Sequence, residues 1–164
     1  MPPKNAQGDC WSDFDWDDPL PARFASRWNL WKSSLSELNE LKIPRCVIDE
    51  SFNCPARELH VFADASDLAI GYVCYIKSVT PDGESDVRLL VANSKVAPRA
   101  ATTVPRLELC AAVEAAVNST KVVRELSIEP RSTTFYSDSE IVLAYIASDS
   151  KRFTRYVTNR VSVI

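Results

Sequence analysis

The chain has 164 residues, of which 46% are hydrophobic and 25% are charged, and its formal net charge is −3. This composition is typical of one globular domain with its own core, and it excludes disordered and fibrous proteins. No apolar run approaches the ~18–20 residues of a membrane-spanning helix. The N-terminus has no apolar core of the kind that a signal peptide needs, so we expect neither a membrane protein nor a secreted one.

The cysteines and the single histidine, His60, are too scattered for a structural zinc site. No two cysteines form a CxxC pair, and zinc sites of this kind need closely spaced Cys and His ligands. An odd number of widely spaced cysteines also indicates reduced thiols, so we expect a cytoplasmic protein. The cysteines are Cys10, Cys46, Cys54, Cys74 and Cys110.

The N-terminal part predicts an irregular lead-in and one helix. Residues 1–15 belong to a stretch rich in Asp, Trp and Pro, and we interpret them as irregular. Over residues 22–41, aromatic and leucine side chains recur at three- and four-residue steps, which predicts an amphipathic helix. We interpret residues 16–52 as a connection segment that precedes the main domain, residues 53–164.

Three β-strands are predicted between residues 59 and 96. The stretches ELHVFADAS, AIGYVCYIKS and DVRLLVANSKV supply them, and the apolar character of the first two predicts strands buried on both faces. The sequence PDG at residues 81–83 predicts a turn between the second and third strands. Short connections of this kind join antiparallel neighbours, so we expect an antiparallel meander.

The C-terminal half predicts helices and one further strand. A long helix is expected over residues 105–126, with Thr103 as its N-cap and Pro105 in its first turn. The stretch TTFYS follows as a fourth strand, and SEIVLAYIAS and RFTRYVTNRVSVI follow as helices. This order predicts an α/β fold in which a mixed sheet, three antiparallel strands and then a parallel one, is flanked by helices.

Three carboxylates occupy positions that we interpret as candidate metal ligands. Asp64 interrupts an apolar strand, where a lone buried carboxylate would be costly. Glu108 is expected in the first turn of the long helix, and Asp138 at the carboxyl end of the fourth strand. If the first and fourth strands are neighbours, the two aspartates project close together and the helix carries Glu108 across them. Without basic partners, three such carboxylates repel unless divalent cations hold them.

Each acid also has a purely structural explanation. Asp64 could lie at a frayed strand end. The helix dipole and capping preferences alone explain a glutamate near a helix N-terminus, as for Glu108. Asp138 precedes a predicted helix, where aspartate is a common N-cap. Taken one at a time, these explanations are favoured, whereas the order of the elements that carry the three acids favours a shared site.

The motifs VFADAS, VPRLELCAA and FYSDSEIVL resemble the first three active-site motifs of the ribonuclease H domain of reverse-transcribing elements. A narrower resemblance, to the Pol polyprotein of BEL/Pao-type long-terminal-repeat retrotransposons, rests on WDDPLP, RWNLWKSSLSEL, IPR, ANSKVAP, TVPRLEL and RFTRYVTNRVSVI. It extends from about residue 16 to the last residue. The resemblance implies a ribonuclease H-like fold preceded by a connection segment.

The resemblance implies endonucleolytic hydrolysis of the RNA strand of RNA–DNA hybrids, with Asp64, Glu108 and Asp138 as catalytic metal ligands. It also implies two Mg²⁺ ions, with Mn²⁺ as a possible substitute, and no small-molecule cofactor. In two-metal cleavage, one ion positions a hydroxide nucleophile and the other stabilises the leaving oxygen. The implied partners are the hybrid and the polymerase region of the same polyprotein. The implied location is the cytoplasm, in a virus-like particle for the parent element.

Serines and basic residues near the motifs are candidates for contacts to the hybrid. Residues 95–164 carry ten basic and seven acidic side chains, a local excess that suits a phosphate backbone, although a solvated surface is favoured for any single basic residue. Ser66 and Ser139 stand beside the two aspartates and could donate to a phosphate or to a ligand carboxylate. The basic candidates are Lys95, Arg99, Arg106, Lys151, Arg152 and Arg155.

The chain departs from the family pattern at its end. The family carries a fourth acid after a fifth strand, and neither has a counterpart before Ile164. We therefore expect the fourth strand to be an exposed edge and hydrolysis by these 164 residues to be weak or absent. Two other functions stay open: a non-catalytic module that binds nucleic acid or another partner, and a strand transferase of the integrase type. The position of Glu108 on an early helix favours the ribonuclease over the transferase.

Overall fold

The computed structural model of the protein describes residues 15, 17–19, 21–47, 56–98, 102–148 and 152–164. The chain divides into two compact units, Met1–Ile43 and Pro44–Ile164. In the described ranges, no helix is long and apolar enough to cross a membrane. Cys74 and Cys110 are reduced thiols, in line with the cysteine spacing.

The first unit contains one helix that changes its winding partway along. The α-helix α1 spans Ala22–Ser34 and continues as a 3₁₀-helix over Leu35–Glu40. The predicted helix is therefore confirmed, but its second part is wound more tightly. Three serine hydroxyls donate to carbonyls three residues earlier, a local pattern that favours the tighter turn. Trp28 and Trp31 pack on each other with ring centroids 4.8 Å apart, and no residue of α1 is buried.

The second unit is built on four strands, Ala56–Ala65 (β1), Ala69–Val79 (β2), Ser85–Val96 (β3) and Ser132–Tyr136 (β4). They form one sheet in the order β3-β2-β1-β4. Strands β1, β2 and β3 pair antiparallel, and β1 pairs in parallel with β4. The predicted mixed sheet is confirmed, and β1 and β4 are neighbours, which is the condition on which Asp64 and Asp138 were expected to project close together. Strand β4 forms one edge, and all five of its residues are exposed.

Within the described residues, three helices complete the second unit, and they span Val104–Glu125 (α2), Glu140–Ile146 (α3) and Arg155–Val161 (α4). Thr103 is the N-cap residue of α2 and Pro105 lies in its first turn, as predicted. Leu109 of α2, Val142 of α3 and Val157 of α4 form one buried cluster. The three helices therefore share a core that is separate from the one beneath the sheet.

The helices cover one face of the sheet, and the buried side chains of that face belong to the central strands β1 and β2. Side chains alternate along each strand, and those that face α2 form the main core, which includes Leu59, Val61 and Cys74 together with Ala115 of α2. On the opposite face, the side chain of Phe62 is 41% exposed. The prediction that the strands are buried on both faces is therefore wrong. The reason is that α2 covers one face of the sheet, and α3 and α4 pack against α2.

Burial of Cys74 makes the stability of this core sensitive to alkaline pH. Its side chain is fully buried, and burial raises the pKa of the thiol from 9.0 to about 11. The folded chain thus keeps a proton that the unfolded chain loses, so stability is intact below pH 9 and falls as the pH rises towards 11. We expect the free energy of unfolding to fall by on the order of 2 kcal/mol across this window.

Urea denaturation at a series of pH values measures this loss, with Cys74→Ala as the matched variant. The variant is expected to be less stable at neutral pH, because the substitution leaves a cavity, but to lose less stability at alkaline pH. Burial also raises the pKa of Tyr72 and of Tyr156, so a smaller alkaline loss remains in the variant. An identical pH slope in the two proteins would rule out Cys74 as the source.

Candidate functional site

Asp64 and Asp138 lie at matching positions on two neighbouring parallel strands. Phe62 of β1 pairs with Tyr136 of β4, and each aspartate follows two residues after its aromatic neighbour. Two-residue steps return to the same face of a strand, and the carboxyl ends of parallel strands meet at one edge of the sheet. Both aspartates are exposed and line one cleft of about 650 Å³. The structure thus brings two of the three predicted ligands together.

Aromatic rings form part of the cleft wall beside the two aspartates. The rings of Phe62 and Tyr136 stack with centroids 4.4 Å apart and an interplanar angle of 9°. The Tyr136 hydroxyl lies 2.9 Å from Nδ1 of His60, which holds the ring at its other end. Stacked rings are rigid and apolar, so they keep the ends of β1 and β4 together next to the two carboxylates.

The carboxylates lack basic partners within the described part of the chain. No Lys or Arg there forms an ion pair with Asp64, Glu108 or Asp138. Asp64 Oδ1 accepts a hydrogen bond from the backbone N–H of Ala65 at 2.7 Å. Two carboxylates that share a cleft without a basic side chain repel each other, and a divalent cation relieves that repulsion. The cleft is therefore suited to a cation with oxygen ligands.

Ser139 connects the region of Asp138 with Glu108. It is the N-cap residue of α3, and its Oγ accepts a hydrogen bond from the backbone N–H of Val142 at 3.3 Å. The same hydroxyl donates a hydrogen bond to Oε2 of Glu108 on α2. The explanation of Asp138 as an N-cap is therefore wrong, because the next residue fills that position and Asp138 lines the cleft.

Glu108 lies in the second turn of α2 rather than in the first. The helix begins at Val104, and its first turn contains no acidic residue. Capping and the helix dipole act within the first turn. Because Glu108 lies beyond that turn, these effects account for its position less well than they would for the first-turn position that the sequence predicted. Glu108 does not line the cleft of the two aspartates. Among the described residues, no three Asp, Glu, His or Cys side chains are grouped closely enough to hold a metal ion.

Two of the predicted contacts to the hybrid are engaged in local structure. Ser66 lies in the turn between β1 and β2, where its Oγ accepts a hydrogen bond from the backbone N–H of Ala69 at 3.2 Å. Lys95 of β3 forms an ion pair with Glu114 of α2 at 2.6 Å. Both side chains thus hold parts of the fold together, and binding of a phosphate would compete with these bonds.

The remaining basic candidates lie on or near the helices. Arg106 is exposed in the first turn of α2, with its guanidinium over an aromatic ring of α4. Arg152 and Arg155 are exposed, just before α4 and at its first residue. Arg99 and Lys151 lie outside the described residues. Of the predicted basic contacts that the structure describes, Arg106, Arg152 and Arg155 are therefore available to an external anion.

A signal for the aromatic wall is present in the sequence. Both aspartates follow an aromatic residue at a two-residue step, F-A-D at residues 62–64 and Y-S-D at residues 136–138. The same step on two paired strands predicts that the rings stack beside the acids. The contact between Ser139 and Glu108 has no comparable signal, because it joins two helices across 31 residues of the chain.

Replacing Ser139 by Ala removes both the cap of α3 and the hydrogen bond to Glu108. We expect the free energy of unfolding to fall by about 1–2 kcal/mol, since a lost serine cap alone costs ~1 kcal/mol and the bond to a carboxylate adds to it. Chemical denaturation measures the loss. Ser139→Thr keeps the hydroxyl and should recover most of the stability, whereas an unchanged stability of Ser139→Ala would contradict both roles.

Comparison with known proteins identifies a family. The family model described as Pao retrotransposon-like RNaseH-like domain matches residues 2–139, which include Asp64, Glu108 and Asp138. A search of curated proteins finds no match. The family agrees with the observed sheet of three antiparallel strands and a parallel fourth, flanked by helices. The chain belongs to the family of Pao retrotransposon-like RNaseH-like domains.

Proposed function

We propose that this domain hydrolyses the RNA strand of RNA–DNA hybrids in a reaction that depends on divalent metal ions, as part of the Pol polyprotein of a Pao-type retrotransposon. The observation that carries the proposal is the pair Asp64 and Asp138. They line one cleft and have no basic partner among the described residues. Membership of an RNaseH-like family supports the same reaction class.

The acidic residues around the cleft fit Mg²⁺, or Mn²⁺ in its place. Hard divalent cations prefer carboxylate oxygens, and Asp64, Asp138 and Glu108 offer only such donors. When bound, two ions would activate a water nucleophile and stabilise the leaving 3′-oxygen. Asp64 and Asp138 would hold them at the carboxyl edge of β1 and β4, and Glu108, which lies outside their cleft in this structure, would complete the ligand set from α2.

Other side chains position these ligands. The hydroxyl of Ser139 holds the Glu108 carboxylate, and its bond to the backbone of Val142 ties that hydroxyl to the start of α3. The stacked rings of Phe62 and Tyr136 keep the two strand ends together. Residues that orient metal ligands in this way commonly affect metal affinity and activity by ~10–100-fold.

Cleavage of a labelled RNA–DNA hybrid tests the proposal. The expected result is release of short RNA fragments that requires Mg²⁺ or Mn²⁺, leaves the DNA strand intact and stops when EDTA is added. The assay uses this chain and a version extended past Ile164, because the family pattern carries its fourth acid after that point. Absence of metal-dependent cleavage by both proteins, each shown to be folded by circular dichroism, would refute the proposal.

A second candidate function is a module that binds the hybrid without cleaving it. One observation favours it: Glu108 does not line the cleft of the two aspartates. Titration calorimetry with Mn²⁺ separates the two functions. Metal binding near neutral pH supports hydrolysis, whereas hybrid binding without metal binding supports the module.

A further inference from the structure

A tyrosine on α4 holds two arginine side chains outside the cleft. The guanidinium carbon of Arg160 lies 3.5 Å from the centroid of the Tyr156 ring, and that of Arg106 lies 4.9 Å from the same centroid. The Tyr156 hydroxyl is hydrogen-bonded to the thiol of Cys110 on α2, 3.2 Å away, so the ring is fixed between the two helices. Two cationic groups from two helices are therefore held close together.

The positive charge of this arginine pair has no acidic partner within the described residues. Neither Arg106 nor Arg160 forms an ion pair there. Arg160 donates one hydrogen bond, from Nη1 to the backbone oxygen of Tyr156 at 3.2 Å, and a guanidinium has five N–H donors in total. Residues 152–164 contain three arginines and no Asp or Glu. Two positive charges that contact the same ring repel each other, and an anion bound to both relieves the repulsion.

We propose that Arg106 and Arg160, held by Tyr156, bind phosphates of the RNA–DNA hybrid outside the cleavage cleft, an inference that rests on the proposed function. The planar guanidinium matches two oxygens of a phosphate, which makes arginine a strong phosphate ligand. Successive phosphates of one B-form strand are separated by about 3.4 Å along the helix axis and by more than that through space, so two guanidinium groups at one ring can reach adjacent phosphates. Stacking on Tyr156 orients both groups before binding, which lowers the entropy cost.

The position of the pair favours a nucleic-acid backbone as the anion. Arg106 lies two residues before Glu108, on the helix that supplies a proposed metal ligand. A duplex bound at the cleft extends along the protein surface and carries a charge every ~1.7 Å of its axis, so it offers further phosphates to basic side chains outside the cleft. Contacts to phosphates are independent of base sequence, as expected for an enzyme that degrades hybrids of any sequence.

Binding measured without hydrolysis tests this contact. The dissociation constant of a labelled hybrid is determined in EDTA at several salt concentrations, for the unchanged chain and for Arg106→Gln, Arg160→Gln and the double variant. Each single variant should weaken binding about tenfold at low salt. Each should also reduce the slope of log K against log [salt] by about 0.9, the contribution of one phosphate contact. Arg124→Gln, at the exposed far end of α2, is the matched control and should change neither quantity.

One further variant and a thermal melt separate effects on folding from effects on binding. Thermal unfolding of each variant shows whether Arg160, which also contacts the backbone of α4, acts through stability. Tyr156→Phe keeps the ring and loses only the hydroxyl, so hybrid binding should be retained. Unchanged salt slopes in the double variant, or no hybrid binding by the folded chain, would overturn the inference even if the domain cleaves hybrids. If the salt slopes fall as expected but the domain does not cleave hybrids, the inferred phosphate contact is supported and only the proposed hydrolysis is refuted.

Discussion

Replacing Asp64 by Asn is expected to lower the Mn²⁺ affinity of the domain by about 100-fold or more and to abolish any metal-dependent cleavage of the hybrid. The substitution keeps the shape of the side chain but removes the negative charge that Asp64 shares with Asp138 in the cleft. Replacing a residue that only orients a metal ligand already lowers the metal affinity by ~10–100-fold. Replacing a ligand itself should therefore lower the affinity by at least the upper value. Titration calorimetry measures the affinity, and gel analysis of labelled RNA measures the cleavage.

Asp67→Asn is the matched control for this experiment. Asp67 is exposed between β1 and β2, three residues after Asp64, and carries the same charge. We expect its replacement to change the Mn²⁺ affinity by no more than about twofold, because an exposed charge outside the cleft is screened by salt. An equal loss in both variants would show that the local negative potential, and not ligation by Asp64, holds the ion.

Leu109→Ala is expected to lower the free energy of unfolding by about 3–5 kcal/mol, the largest loss of stability that we expect from a single substitution. Leu109 is fully buried and packs with Val142 and Val157, so its truncation leaves a cavity where α2, α3 and α4 meet. Because α3 and α4 pack against α2, this cavity should also loosen the contacts of Ser139 and Tyr156. Urea denaturation followed by circular dichroism measures the loss.

Leu126→Ala makes the same chemical change at the exposed end of α2. Leu126 is 51% exposed and follows the last residue of the helix. We expect its truncation to change stability by less than ~0.5 kcal/mol, as for most surface substitutions. If Leu109→Ala lowered the free energy of unfolding no more than Leu126→Ala does, the helical core would not be what holds α3 and α4 in place.

The strand order and the position of two acids could be predicted from local sequence patterns. Short connections predicted the antiparallel meander, and the order of the elements predicted a mixed sheet with a parallel fourth strand, as observed. Once these pairings hold, the two-residue period of a strand places Asp64 and Asp138 at one edge of the sheet. These features depend on steps of a few residues, which a single sequence displays directly.

Local sequence patterns did not predict how far each face of the sheet is buried or which side chains surround Glu108. Phe62 lies in an apolar strand, yet its face of the sheet is half-exposed, because the sequence of a strand does not specify how many helices cover it. Glu108 was expected in the first turn and beside the aspartates, but it lies in the second turn and accepts a hydrogen bond from Ser139. Helix ends shift by one or two residues with local packing, and each residue turns a side chain by about 100° around the axis.

By itself, the sequence determined the order of the elements, the mixed sheet and the place of Asp64 and Asp138 near the ends of β1 and β4, because these follow from hydrophobic periodicity and connection length. Only the tertiary structure decided that Ser139 caps α3 and holds Glu108, and that Tyr156 carries Arg106 and Arg160. Those contacts join helices that are distant in the chain. Their geometry depends on how α2, α3 and α4 pack around Leu109, and no local spacing encodes that packing.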